Sequence, residues 1–279
     1  MTPRPCLFVD VFTQVPLAGN GLAVVLQADD LDEATMAAFA RYTNLSETTF
    51  VQASDCADYR NRIFSPGGEL PFAGHPTLGT AHAVASSGAV TPMAGRLVQE
   101  CAAGLVPLQL ADDGSWTFTA PRVEVGSRLD PAPFEAALGA EVDGPLLVMD
   151  VGPRWITGRL ADGDAVRALR PDMGAVARAC RVVDHAGLNV YGWDGAGPEV
   201  RSFAPDDGIA EDPVCGSGNV AVAGHLRATG RGGEVEAGYV ARQGRCVGRD
   251  GHVFVGATAQ GDVLVGGHVV TVVSGTVDI

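Results

Sequence analysis

The chain has 279 residues, 46% of them hydrophobic, and a net charge of -14. That length and apolar share support one large domain or two medium ones, and the acidity argues against nucleic acid or an anionic membrane as partner. All 19 cationic side chains are arginine, which removes a pyridoxal Schiff base, a P-loop lysine and a lysine general base from consideration.

No run of about 18 apolar residues is present to span a membrane. The start, MTPRPCLFVDVFTQ, lacks the basic and then long apolar layout of a signal peptide. Cys6, Cys56, Cys101, Cys180, Cys215 and Cys246 form no CxxC pair and no tight framework. A reducing, cytoplasmic setting is expected.

In chain order, residues 7–12 and 22–26 are short runs rich in Val, Leu and Phe and read as strands. Residues 32–42 have helical spacing, with Asp29 or Asp30 as the expected cap. Residues 77–86 are small and Ala-rich, and read as a helix opening just after a Gly turn. Strands are expected over 105–110 and 116–119, joined at Asp113-Gly114. Pro121 and the region of Asp130-Pro131 suit a linker. Beyond it, 220–228 is a second Ala-rich helix. Residues 235–242, 252–257 and 263–273 read as strands, with turns at Asp250-Gly251 and Gly261-Asp262.

The chain repeats itself. LPFAGHPTLGTAHA (70–83) lies over DPVCGSGNVAVAGH (212–225) at an offset of 142, which puts Pro71 on Pro213, Ala73 on Cys215 and Gly74 on Gly216. Arg62, Phe64 and Pro66 match Arg201, Phe203 and Pro205 at an offset of 139, and Glu69 then falls on Glu211. Asn44–Glu47 sits about where Gly187–Val190 sits. The expectation is an α+β protein of two pseudo-symmetric lobes, each a curved, mostly antiparallel sheet or barrel around one central helix. The lobes are residues 1–120 and 121–263, with 264–279 free to return to the first. A ligand is expected in the cleft between them.

Each Gly turn opens a helix, and a helix N-terminus offers unpaired N–H groups and a positive dipole end to an anion. Gly74, Gly216 and Gly218 are therefore candidate backbone donors to a carboxylate. Around them stand different reactive groups. His75 is suited to proton transfer near neutrality. Glu47 and Asp212 can serve as acid or base where their surroundings shift them. Ser217 is a polar partner or a helix cap. His82, His185, His225, His252 and His268 have no metal-ligand spacing; His82 and His225 on the two Ala-rich helices read as polar props. Trp116, Trp155 and Trp193 read as core or interface.

The segments DVFTQVPLAGNGLAVVL (10–26), NLSETTFV (44–51), RIFSPGGELPFAGHPTLGTAHAV (62–84) and EDPVCGSGNVAVAGHL (211–226) resemble the PhzF-like isomerases, a family with the diaminopimelate epimerase-like fold. The resemblance covers nearly the whole chain, and ELPFAGHPT and EDPVxGS are specific to it. It implies two lobes with the active site between them, no cofactor and no metal, and a homodimer. It implies Glu47 as the principal acid/base, which takes a proton from one carbon and returns it to another on the same face. A Glu in an apolar cleft would have its pKa raised. His75, Asp212 and Ser217 match the remaining polar site residues, and Asn20 matches a Gly-Asn near the site. Related racemases and epimerases carry a thiol at each Gly turn. Here the first turn has Ala73, and the second keeps Cys215, beside a helix end that could activate it but at a place where a small Cys also simply packs.

The leading reading is an isomerase that shifts a C=C bond by proton transfer in a small cyclic amino or imino acid. Natural-product biosynthesis is its expected setting, on a dihydro-hydroxyanthranilate-type or pyrroline/alkylproline-precursor-type substrate. Two alternatives stay open: an amino-acid racemase or epimerase using Cys215, and a non-catalytic protein that binds small carboxylates.

Overall fold

The computed structural model describes residues 2–120, 122–195 and 197–279, so Pro121 of the expected linker lies outside the described residues. The chain forms two compact units, Met1–Thr119 with Gly266–Ile279, and Ala120–Val265. Among the described residues no helix is long and apolar enough to cross a membrane.

In the first unit, strand Pro3–Val11 lies antiparallel between Asn20–Val25 and the C-terminal Val269–Asp278. Asn20–Val25 runs parallel to Thr48–Gln52, which pairs antiparallel with Tyr59–Ser65. Tyr59–Ser65 takes the short Gly68–Leu70 as a hairpin partner and Arg96–Cys101 in parallel. Gly104–Leu110 and Trp116–Thr119 continue antiparallel.

The second unit repeats this order. Leu146–Asp150 lies antiparallel between Glu124–Leu129 and Arg154–Arg159. Arg154–Arg159 runs parallel to Ala186–Asp194, which pairs antiparallel with Gly197–Ala204. Gly197–Ala204 takes Ile209–Asp212 as a hairpin partner and Tyr239–Gln243 in parallel, and Gly251–Ala257 follows antiparallel. The repeated motifs are thus marks of a repeated topology. Register corrects one overlay: Thr48 faces Phe64 and Leu188 faces Phe203, so Glu47 corresponds to Gly187 and not to Val190.

Each sheet wraps one helix, Gly74–Ser86 or Gly216–Ala228. Ten of the thirteen residues in each are buried, which identifies core helices, since a surface helix buries only a stripe. Small residues let strands approach closely from several sides. His82 Nε2 lies 3.0 Å from Thr271 Oγ1, and His225 meets the Tyr191 hydroxyl and the Pro145 carbonyl, each at 2.9 Å. Both histidines are polar props, as expected. The sides of the wrap opposite these helices carry smaller cores, around Met36, Phe50 and Phe64 in one unit and Phe134, Ile156 and Phe203 in the other.

Local readings change in four places. Helix Glu33–Thr43 is capped by Asp32, whose side chain accepts from Thr35 N–H; Asp29 instead accepts from Ala53, and Asp30 pairs with Arg4. Residues 235–242 are not one strand: Gly232–Ala237 is a short helix, ended by Gly238 at φ 77°, before strand Tyr239–Gln243. The stretch 263–273 divides at His268 into Val263–Gly267 and Val269–Asp278. Asp250-Gly251 is the end of a longer connection containing the 3-10 turn Arg245–Val247.

The R-x-F-x-P motif has a physical role. Arg62 donates to both oxygens of Glu69 at 2.8 and 2.6 Å and lies 5.2 Å from the Phe64 ring centroid. Arg201 does the same to Glu211 at 2.9 and 2.7 Å, 5.1 Å from the Phe203 ring. Each fork ties the hairpin that feeds its Gly turn. The second is the more buried, with side chains 6% and 10% exposed against 17% and 30%. Removing one partner of a buried pair strands the other. Glu211→Ala is therefore expected to lower stability by about 3 kcal/mol, and Glu69→Ala by about 1 kcal/mol, because Arg62 keeps Glu33. Urea unfolding midpoints measure both; equal shifts would contradict this ranking.

Candidate active site

In the first unit, strand Thr48–Gln52 starts just after Glu47, and helix Gly74–Ser86 carries His75 in its first turn. Glu47 Oε2 lies 3.4 Å from His75 Nδ1, with the side chains 15% and 6% exposed. Burial pushes His75 down to about 3, against a smaller opposing effect of a bond to the Gly21 backbone. The imidazole is therefore neutral over the physiological range, which revises the expectation that it titrates near neutrality. The ring bonds to the Gly21 backbone, and its 3.4 Å approach to Glu47 Oε2 is a close contact and not a hydrogen bond. Asn20 is buried at the head of its strand, 3.5 Å from Ser46 Oγ, next to Glu47 in sequence. Gly74 opens the helix, and Ala73 provides no side-chain cap to the first-turn N–H groups. The structure thus brings Asn20, Glu47, Gly74 and His75 together.

The second unit gathers Asp212, Cys215, Gly216, Ser217 and Gly218. Asp212 is half-buried, and desolvation of its carboxyl pushes it up to about 6, partly opposed by bonds to the Cys215 thiol and the Val214 N–H. The Val214 N–H donates to Asp212 Oδ1 at 3.1 Å. Cys215 is buried, and burial and Asp212 together push its thiol well up. Its sulfur accepts from Gly218 N–H at 3.2 Å and lies 3.4 Å from Ser217 Oγ. Cys215 is a helix cap holding its proton. Gly218 is consequently corrected as a ligand donor: its N–H is given to that sulfur, and its carbonyl accepts from Asn189 Nδ2 at 2.8 Å. A Cβ at Gly218 would stand 2.6 Å from Ser202 Oγ, so glycine serves close packing there.

Ser217 corresponds to His75 by the 142 offset. Its hydroxyl accepts from Trp155 Nε1 at 3.0 Å. Gly187, which corresponds to Glu47, has no room for a side chain, because a Cβ would stand 2.4 Å from the Trp155 ring. The two matching positions therefore hold a carboxylate and an imidazole in one unit and a glycine and a hydroxyl in the other, where Trp155 of the neighbouring strand covers the glycine and donates to the hydroxyl.

Sequence reasoning missed Trp155 and the buried amides behind the turn. Gln243 accepts from the Cys215 N–H and from Asn219 Nδ2, at 3.1 and 3.0 Å, and donates to the Asp212 carbonyl at 3.0 Å. Asn219 Nδ2 also holds the Cys215 carbonyl at 2.8 Å. Polar residues at inward positions of apolar segments, such as Gln243 in YVARQ and Asn189 in GLNVY, were the available signal. Trp155 left none.

Residues 9–275 match the family model described as phenazine biosynthesis-like protein, PhzC-PhzF. Antisense-enhancing sequence 1 of Schizosaccharomyces pombe is 41% identical over 237 residues, covering 80% of each chain. Trans-2,3-dihydro-3-hydroxyanthranilate isomerase of Pseudomonas chlororaphis is 35% identical over 290 aligned residues, covering 97% of this chain and 98% of the relative. The crystal structure of a PhzF-family protein from Bacillus anthracis superposes with a TM-score of 0.86 at 25% identity, covering 100% of both chains.

Two outcomes follow from the site geometry. Cys56 and Cys246 are exposed and the other four thiols buried, so two of six should react quickly with a disulfide reagent in the native protein, with Cys215 among the silent ones. Mapping the labelled peptides checks this. Asp212 sits above its ordinary 3.8 when folded, so its contribution to stability is present below about pH 4 and lost as pH rises through about 6. His75 sits below its ordinary 6.5, so its contribution is present above about pH 6.5 and lost on acidification towards 3. Between pH 4 and 6 the two oppose each other. Asp212→Asn removes the first, and its Tm should rise more steeply with pH across that window than the native protein's; an unchanged slope would refute the shifted carboxyl.

By its family match, its relatives and its fold, the chain belongs to the phenazine biosynthesis-like, PhzF family of isomerases.

Proposed function

We propose that this chain shifts a C=C bond in a small cyclic, unsaturated amino or imino acid by moving one proton between two carbons, with Glu47 as the carrier. The observation that supports this reading most directly is the pairing of Glu47 with a neutral, buried His75 at the mouth of a core helix. A carboxylate takes a proton from an allylic carbon whose anion is delocalised through the double bond. The same carboxyl returns the proton at the far end of the conjugated system. The bond order shifts and no atom is gained or lost. His75 is the positioning partner, holding Glu47 in one orientation without competing for its proton. In the first unit the N–H of Gly74 is the proposed donor to the substrate carboxylate, with Asn20 orienting it; Gly216, Asp212 and Ser217 are the polar groups proposed for the same chemistry in the second unit.

A relative named trans-2,3-dihydro-3-hydroxyanthranilate isomerase, matched end to end, supports a dihydro-hydroxyanthranilate-type substrate, and a pyrroline precursor of an alkylproline shares the same conjugated acid chemistry. Natural-product biosynthesis, a cytoplasmic location and a homodimer belong to this proposal. The alternative of an amino-acid racemase or epimerase using Cys215 has less behind it: burial and Asp212 push its thiol well up, and its sulfur accepts the Gly218 N–H as a cap.

Proton NMR in D2O tests the proposal on unsaturated cyclic amino and imino acids. Deuterium should enter at the vinylogous carbon together with a new conjugated absorption band. Glu47→Gln should lower the rate by at least about 100-fold, the usual worth of a general base, while Cys215→Ser stays within a few-fold of native. Exchange confined to the α-carbon with loss of optical rotation, abolished by Cys215→Ser, would overturn it.

A further inference from the structure

A cavity of about 680 Å³ in the second unit is lined by Arg167, Arg170, Arg201 and Arg245, with Leu169 and Cys246 beside them, and by no carboxylate. Four guanidinium groups around one hollow stand out in a chain of net charge -14. Their carboxylate partners lie outside the lining. Glu199, 1% exposed, is shared by Arg167 and Arg245. Asp164 and Asp194 also pair with Arg167, and Glu211 takes the Arg201 fork.

Arg170 is different. Among the described residues it has no carboxylate partner. Its Nη1 is held by three carbonyls, those of Arg167, Ala168 and Leu169, at 3.2, 3.3 and 2.8 Å. Those bonds fix the guanidinium without neutralising it, so the ordering cost of a bound arginine fork is already met. The cavity wall therefore presents four arginines: Arg167, Arg201 and Arg245 are paired to four carboxylates outside the lining, and Arg170 is the guanidinium with no carboxylate partner among the described residues.

We infer that this hollow is a binding site for a small, multiply charged anion of the phosphate-ester or diphosphate class, separate from the isomerase site. A single carboxylate satisfies one arginine fork. Arg170 has its fork clear of carboxylates, and Arg245 uses Nε and Nη2 on Glu199 but not Nη1, so the two together suit an anion with several oxygens. Leu169 offers a small apolar wall for the organic part of a phosphate ester. Cys246 stands at the site, its thiol 3.6 Å from the Arg167 carbonyl, and makes a built-in reporter.

The test uses the full chain at constant ionic strength, titrated in parallel with inorganic pyrophosphate and with ribose 5-phosphate. Saturable stabilisation in thermal melts is expected with at least one probe, and which one answers distinguishes a diphosphate from a phosphate ester. Arg170→Gln should weaken that binding about tenfold or more, the scale of one charge-assisted hydrogen bond, and Arg170→Lys by less. The bound probe should also slow labelling of Cys246 by the uncharged 4,4'-dithiodipyridine and leave exposed Cys56 unaffected. Stabilisation matched by sodium chloride alone, affinity unchanged in Arg170→Gln, or equal effects on Cys246 and Cys56 would each overturn the assignment. Arg170 is exposed and supports no side chain, so the variant is expected to fold; an unchanged melt without added anion verifies it.

Discussion

A helix that starts inside a protein must have its first turn held in place without water, and both units do this in one way. Four residues beyond the cap, a side chain reaches back to the cap carbonyl: Thr77 Oγ1 to Ala73 at 2.9 Å, and Asn219 Nδ2 to Cys215 at 2.8 Å. A buried glutamine then fixes that side chain, Gln99 Nε2 donating to Thr77 at 3.1 Å and Gln243 Oε1 accepting from Asn219 at 3.0 Å. Each glutamine comes from the strand running parallel to the R-x-F strand. The arginine forks on the hairpins complete the frame. The turn is therefore held by its sheet through amides and guanidinium groups, and the residues at its mouth are free to differ between copies.

They differ in a way that assigns chemistry. The frame places one side chain from the strand and one from the first helical turn against each other. In the first unit these are Glu47 and a neutral His75, a carboxyl beside an imidazole. In the second, Trp155 fills the space over Gly187 and meets Ser217, two groups that do not titrate in the working range. The titratable group of the second unit is Asp212, at the end of the preceding strand. Burial moves His75 down and Asp212 up, in each case towards the uncharged form.

Much of this was legible in the sequence, and the limits have physical causes. The duplicated Gly turns and R-x-F-x-P motifs located both core helices and their hairpins, because close packing and a tight turn admit few residue types. The Ala-rich helices were legible as buried for the same reason. The pairing of Glu47 with Gly187 was not, because strand register depends on hydrogen bonds between distant segments and a three-residue slip leaves short apolar motifs equally well matched. Residues 235–242 alternate like a strand but sit beside Gly232 and Gly233 at a turn, and tertiary packing decides such short segments. Gln243 and Asn219 were invisible as a network because each alone reads as an ordinary polar residue. His75 was expected to move protons near neutrality, and only burial reveals that its ring stays neutral there.

The neutral state of His75 bears on how a single carboxylate could carry a proton in both directions. A protonated imidazole 3.4 Å from Glu47 would stabilise the carboxylate and make it a weak base and a poor proton returner. A neutral imidazole places no full charge beside Glu47, which is what the proposed two-way proton transfer requires. The thiol at the second turn cannot take over that role. Its proton is held by burial and by Asp212, and its sulfur already accepts the Gly218 N–H. Freeing it would cost the helix its cap. The arrangement that secures the second turn thus also withdraws Cys215 from acid–base work, which favours the proposed assignment of the movable proton to Glu47.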